Sequence, residues 1–367
     1  MKLVLKQEHM KDRVLYLSGS AYEQGFTHGR LAAALIKKNL SQVEDWIEQN
    51  FDGDRAKLTT FYEKNRSYLE AERTELLEEL SGIAKGSGCS LEQILLMNIQ
   101  IYFTLKWISP ECSQFCKVLN RGATGQLTLT GKNRDNSAGP KETVILMRTY
   151  QDGLKMIEVG FAGIITGPGN VLTNRKVSIT SSGVWSPRLP VNSEEFGMAE
   201  VLPDTHRLAK SIVSCEEAER YLTSLKRACG MNYIVAVPGE MVLISLSAHD
   251  MKCRMELKSI CATNHYPFEE WRELSYLENE YSSTHYRYRR ITKLMENAST
   301  VKECWEILSD HKDFPQDSVC RHIKDGKGSQ TTYGALSVVE EETMYVVIGN
   351  PCLIPSSQIC DGETFIL

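Results

Sequence analysis

Near residue 112 the spacing of apolar residues changes, and that change limits the folds open to the chain. Upstream, Leu31, Leu35, Leu40, Val43, Trp46 and Ile47 recur at three- to five-residue steps. Leu58, Phe61, Tyr62, Leu69, Leu76, Leu77, Leu80 and Ile83 make a second such face, from about Ala56 to Ala84. Both are the period of amphipathic helices. Ser90 and Gln93 form a capping box that predicts a third helix from Leu91 to about Trp107, ended by Pro110. Downstream the texture is short, alternating and β-branched: "SQFCKVL", "LTLTGKN", "TVILMRTY", "KMIEVGFAGIITG" and "KVSITSSGVW", several of them separated by Gly, Asn or Asp. Helical spacing returns over 194–227, broken at Pro203 and restarted at Ser214 with Glu217 as its box partner. "MNYIVAVPGEMVLISLS" reads as a hairpin, "CRMELKSICATNHY" as a strand and loop, "HYRYRRITKLMENA" and "VKECWEILSDH" as helices, and "TYGALSVVEEETMYVVIGNP" as a closing hairpin. This order predicts an α+β protein with sheets and helices in separate layers. With no repeat and no Gly/Ser/Pro linker, nothing divides it into independent domains.

Composition narrows the function classes. The 367 residues are 42% hydrophobic and 24% charged with net charge −5, the balance of an ordinary globular chain. Neither nucleic acid nor an anionic membrane is implied, since "RYRR" (Arg287 to Arg290) is too short a basic cluster. No apolar run has signal-peptide or membrane-spanning length. Eleven cysteines at irregular spacing without a secretion signal fit free thiols in a reducing compartment, hence a cytoplasmic location.

The stretch "ECSQFCKVL" poses the chemical question, because it holds two thiols at the point where the texture changes. "NRGATGQ" is a turn whose glycines can take positive φ, and "LTLTGKNRD" runs back from it. The midpoint of 112 and 135 falls between Ala123 and Thr124, so antiparallel pairing brings Asp135 back beside Cys112. A carboxylate next to a thiol at a strand end fits either a catalytic pair or the polar open end of a hairpin.

"ECSQF", "GKNRDN", "GFAGIITGPGN", "ATNHY" and "SVCRHIKDG" occur in that order, and "AYEQGFTHGRLAA" and "ELSGIAKGSGCSLEQILLMN" precede them. This series resembles the isopenicillin N acyltransferase family, relatives of the choloylglycine hydrolases and other linear amide C–N hydrolases, over nearly the whole chain. The resemblance implies a four-layer αββα N-terminal-nucleophile hydrolase. Residues 1–111 would be a helical pro-segment packed alongside, and residues 112–367 the catalytic domain. Such a precursor, a zymogen, cuts itself at Glu111–Cys112, so that Cys112 carries both thiol and α-amine. A free thiol with pKa of about 8.5 is only partly ionised at neutral pH, and an α-amine with pKa of about 7.7–8.0 is a suitable base in the same residue. By position Asp135 would orient the α-amine, Asn264 would stabilise the tetrahedral oxyanion, and Arg321 would sit against the nucleophile. The substrate implied is a small acyl amide, handled without metal or organic cofactor; the acceptor is water or a small amine, and homo-oligomers stay open. The sequence departs from the family pattern at Glu111, where isopenicillin N acyltransferase has glycine, at Ser113, where threonine is usual, and in "GNVLTNRKVSITSSG".

Other readings have weaker support. Cys116 completes only a C-x3-C pair, with no second close pair for zinc, and reads as packing. A papain-like enzyme would draw on His249 or His265, but the signature around Cys112 is missing. A binding protein with a vestigial site is the non-enzyme alternative.

Overall fold

The alternating runs beyond residue 111 assemble into two sheets, and the start of the chain is woven into both. The computed structural model describes residues 1–5, 8–50, 55–99, 111–122, 125–136, 141–166, 169–184, 186, 188–189, 205–225, 227, 230–315, 317–325, 328–359 and 365–366. The strands are β1 (Lys2–Leu5), β2 (Val14–Ser18), β3 (Glu111–Asn120), β4 (Gln126–Asn136), β5 (Thr143–Thr149), β6 (Lys155–Phe161), β7 (Asn170–Thr173), β8 (Ser178–Gly183), β9 (Met231–Val237), β10 (Glu240–Leu246), β11 (Met251–Glu256), β12 (Ser259–Ala262), β13 (Gln330–Val338), β14 (Thr343–Ile348) and β15 (Phe365–Ile366). One sheet has the order β12-β3-β4-β13-β14-β1-β15, the other β11-β10-β9-β8-β7-β6-β5-β2. "CRMELKSICA", read as one strand, is two: β11 edges one sheet and β12 the other.

The helices are α1 (Ala21–Leu31), α2 (Ala33–Asn50), α3 (Arg55–Glu72), α4 (Thr74–Ser87), α5 (Leu91–Ile99), α6 (Thr205–Ser211), α7 (Cys215–Ser224), α8 (Ser282–Asn297) and α9 (Val301–Leu308). The long upstream helix expected over 56–84 is two helices, α3 and α4, joined at Arg73. The expected stops at Pro110 and Pro203 lie outside the described residues. Helices α6 and α7 pack on the eight-stranded sheet and α8 and α9 on the seven-stranded one. Residues Ile36, Leu80, Leu146 and Val235 belong to one apolar core, and Phe115, Ile291, Trp305 and Leu336 to another.

Residues 1–111 are not helices alone, as the periodicity suggests. Strand β1 lies inside the seven-stranded sheet, parallel to β14 and antiparallel to β15, while β2 edges the other sheet, parallel to β5. Strands Lys2–Leu5 and Val14–Ser18 are too short to outweigh the helical pattern in a sequence reading, and their partners are far along the chain. The helices of this region then grip the segment after β6. His28 of α1 accepts from the Gly163 amide at 3.1 Å, Asn39 of α2 donates to the Ala162 carbonyl at 3.0 Å, and Asn98 of α5 donates to the Gly163 carbonyl at 2.8 Å. Helices α1 and α4 cross backbone to backbone: a Cβ at Gly25 would overlap the Glu79 carbonyl, and one at Gly82 the Tyr22 carbonyl. "SGIAKGSG" is therefore a helix-crossing surface as well as a C-cap, the latter formed by Gly88 at φ 71°.

Candidate active site

The hairpin of β3 and β4 forms as its turn chemistry requires, with Gly122 and Gly125 at φ 63° and 92°. Its register differs by one residue from the midpoint argument. Cys112 faces Arg134, and Asp135 faces Glu111. Because side chains alternate across a strand, that single step changes the face. Cys112, Gln114, Lys132 and Arg134 point between the sheets, where Gln114 Nε2 donates to Ser182 Oγ at 2.9 Å. Glu111, Ser113, Asn133 and Asp135 point towards α8 and α9, where Asn133 Nδ2 donates to the Leu308 carbonyl at 2.8 Å.

The fully buried Cys112 thiol has cations for company. Arg134 Nη1 lies 3.9 Å from its Sγ. Lys132, also fully buried, donates to the carbonyls of Gly169, at 3.0 Å, and Ser181. Burial pulls the Lys132 ammonium down to about 7, against the opposing pull of Cys112. Tyr333 on β13 pairs with Arg134, and its buried hydroxyl has no hydrogen-bond partner among the described residues. Burial raises that phenol, and Arg134 and Cys112 both act on it electrostatically.

The Cys112 backbone is held from the other side. Its N–H donates to Asn264 Oδ1 at 2.9 Å, and its carbonyl accepts from Arg287 Nη1 at 2.6 Å. Arg287 Nη2 also donates to Asn264 Oδ1 at 3.0 Å, while Asn264 Nδ2 donates to the Gly183 carbonyl at 2.9 Å. Two donors on the oxygen and one acceptor at the nitrogen fix the amide's orientation. Asn264 thus serves the nitrogen of Cys112, and its donor is committed to Gly183.

Arg321 and Asp135 sit on the helix side. Arg321 pairs with Glu111 at 3.2 Å and donates to Ser283 Oγ at 2.6 Å, and Glu111 also accepts from the Tyr281 hydroxyl. Asp135 accepts from Thr331 Oγ1 at 2.6 Å. Burial raises its carboxyl to about 6, although Arg287, Arg321 and Thr331 pull it down. The four expected residues are brought into one neighbourhood, but Asp135 lies on the sheet face away from the thiol, and the contact to the Cys112 nitrogen belongs to Asn264.

Arg287 escaped the sequence reading. Its signal was present: Ser283, Arg287, Ile291 and Met295 form the buried stripe of α8, so a guanidinium occupies an apolar helical position. His265, the candidate of the papain-like reading, is bonded instead to Thr263 and Thr284 at 3.1 and 2.9 Å, and burial lowers it to about 3. Cys116 is fully buried among Ile234, Ala236, Met241 and Ile260, which is packing.

Comparisons with known proteins converge on the same relationship. The family model for acyl-coenzyme A:6-aminopenicillanic acid acyl-transferase matches residues 206–352, a span that contains Asn264, Arg287 and Arg321. The 40 kDa form of acyl-coenzyme A:6-aminopenicillanic-acid-acyltransferase from Emericella nidulans is 26% identical over 332 residues, 86% of each chain. The chain is a homologue of these acyltransferases, and an enzyme. The resemblance found in the motif series is thereby borne out. Among the described residues no helix is long and apolar enough to cross a membrane.

Proposed function

We propose that the chain is an N-terminal-nucleophile cysteine enzyme, with the αββα arrangement that its two facing sheets and outer helices support. It would cut itself between Glu111 and Cys112 and then carry acyl groups on the Cys112 thiol. The observation that carries this reading is the hydrogen bond from the Cys112 nitrogen to Asn264 Oδ1, because that nitrogen becomes the α-amine once the bond before it breaks.

The chemistry runs in two stages. Sγ attacks the Glu111 carbonyl carbon, the C–N bond breaks, and the Cys112 nitrogen leaves as an amine; water then hydrolyses the thioester, leaving Glu111 as a carboxylate. In turnover the α-amine takes the thiol proton and Sγ attacks the substrate amide. The leaving amine recovers that proton, and water releases the acid from the thioester. Lys132 and Arg134 stabilise the thiolate, while Tyr333 is placed to donate to the oxyanion. Asn264 and Arg287 position the nitrogen. Asp135 and Arg321, with Glu111, set the charge on the other side of the backbone. Hydrolysis of a linear amide is the preferred outcome because water is always available; transfer to a small amine is the second reading, favoured by the acyltransferase activity for which the relatives are named.

Cys112→Ala is the direct test. The wild type should yield a fragment of about 256 residues beginning at Cys112 on intact mass and terminal sequencing, and the variant should stay whole and inactive towards a panel of acyl amides. Cleavage at this bond in the variant would sink the scheme.

A further inference from the structure

A second cluster of reactive side chains lies behind Arg321, and the acyl-transfer chemistry does not use it. His311 follows α9, Cys320 and His322 flank Arg321 in the approach to β13, and Cys352 sits in the short 3-10 turn Pro351–Leu353 after β14. These three segments are brought together so that one ligand atom from each of the four residues lies within 4.8 Å of all the others. His322 Nε2 is 2.9 Å from His311 Nε2, 3.4 Å from Cys352 Sγ and 3.7 Å from Cys320 Sγ.

A ring nitrogen offers one proton or one lone pair, so it can satisfy only one of three such neighbours by hydrogen bonding. A cation at the centre satisfies all four atoms at once. With zinc–nitrogen bonds of about 2.0–2.1 Å and zinc–sulfur bonds of about 2.3 Å, a tetrahedron has N–S edges of about 3.5–3.6 Å and N–N edges of about 3.3 Å. The two observed S–N separations bracket the first value, and the N–N separation lies within a few tenths of an ångström of the second. Outer contacts also fit: Asn350 Nδ2 donates to Cys320 Sγ at 3.4 Å, and the Cys352 amide also bonds that sulfur, the kind of support a thiolate ligand receives.

We infer that His311, Cys320, His322 and Cys352 form a structural zinc site. The donor set is two thiolates and two imidazoles, which selects zinc over the hard cations. Four protein ligands leave no open position, so the metal would be a fastener and not a catalyst. Each thiol gives up its proton as the metal binds. Because Cys320 and His322 flank Arg321, and Asn350 also donates to the Arg321 carbonyl, the metal would hold the segment that places this guanidinium on Glu111.

The test uses untagged full-length protein, produced with zinc in the medium and passed over a chelating resin. Elemental analysis should give one zinc per chain, and cobalt substitution should give the intense near-ultraviolet thiolate-to-cobalt absorption of a two-sulfur site. His311→Asn with Cys352→Ser should reduce the metal at least tenfold while far-ultraviolet circular dichroism stays that of the wild type. Should the double variant fail to fold, His311→Asn alone, at an exposed position, serves the same purpose. The inference is overturned by wild-type protein holding less than a tenth of an equivalent of zinc with no cobalt–thiolate band, by metal content indifferent to both variants, or by a Cys320–Cys352 disulfide in metal-free protein on non-reducing peptide mapping.

Discussion

Two buried charge clusters in this molecule are built on opposite accounts of charge. The first joins the N-terminal helices to the eight-stranded sheet. Arg148 pairs with Glu79 at 2.8 Å and Glu158 at 2.9 Å, while His206 contacts Glu158 at 3.0 Å and Arg207 reaches Glu79 at 3.5 Å. Each acid has its cation, so burial, which would raise Glu158, is outweighed by Arg148 and His206, and the carboxyl falls to about 2. The second surrounds Cys112. Two acids, Glu111 and Asp135, share the helix side with Arg287 and Arg321, while Lys132 and Arg134 face the thiol without a carboxylate ion pair of their own among the described residues. Burial prevails here, with Asp135 near 6 and Lys132 near 7. A matched cluster holds structure, whereas an unmatched one leaves protons mobile near neutrality and a positive field where a thiolate or oxyanion would form.

The largest expected effect lies in the matched cluster. Arg148→Met strands two buried carboxylates and should cost about 3–5 kcal/mol in chemical unfolding. Cleavage at Glu111–Cys112, measured where the variant is still folded, should remain within a few-fold of wild type. A variant that unfolds normally but fails to cut would erase the distinction between the clusters. In the other cluster, Arg287→Lys keeps the charge but loses the fork that bonds the Cys112 carbonyl and Asn264 together. Processing, followed by gel densitometry, should slow about a hundredfold, equivalent to about 2.7 kcal/mol.

The pH response should also divide them. Glu158 is depressed when folded, so its contribution is present above its ordinary value of 4.5 and lost as pH falls towards about 2. Asp135 is raised when folded, so the folded state holds its proton more tightly. Its contribution is present below 3.8 and is lost as pH rises through about 6, on the order of 2–3 kcal/mol. Urea titrations across this range should show Glu158→Gln flattening only the acid limb and Asp135→Asn only the limb between 4 and 6; the reverse assignment would contradict the contrast. The smallest effect is expected of Tyr333→Phe. Removing an unpartnered buried hydroxyl should leave the melting temperature unchanged or slightly raised and lower kcat about tenfold, with KM nearly constant.

Much of this was legible because it is local. The texture change, the hairpin turn at Gly122 and Gly125, the Ser214 cap and the closing hairpin all rest on neighbours in sequence. What escaped depends on distance or on parity. A sum of positions places a hairpin partner to within one residue, but strands alternate every residue, so that one step moved Asp135 from the thiol's face to the other. Strands β1 and β2 find parallel partners at 343–346 and 145–149, which no local pattern announces. Arg287 hid inside a basic run in which Arg289 is exposed and Arg290 pairs with Asp310, and the His311, Cys320, His322 and Cys352 set is assembled from three segments with no shared spacing.

The placement of β1 between β14 and β15 bears on the product of the proposed self-cleavage. A cut at residue 111 would not yield two proteins. The smaller fragment contributes an interior rung to one sheet and a border to the other, so its departure would bare backbone donors and acceptors on both. Nicked enzyme should therefore migrate as a single species in native solution and part only in denaturant. Residues 112–367 expressed alone should seek strands from other copies and precipitate, and residues 1–111 supplied during folding should rescue them.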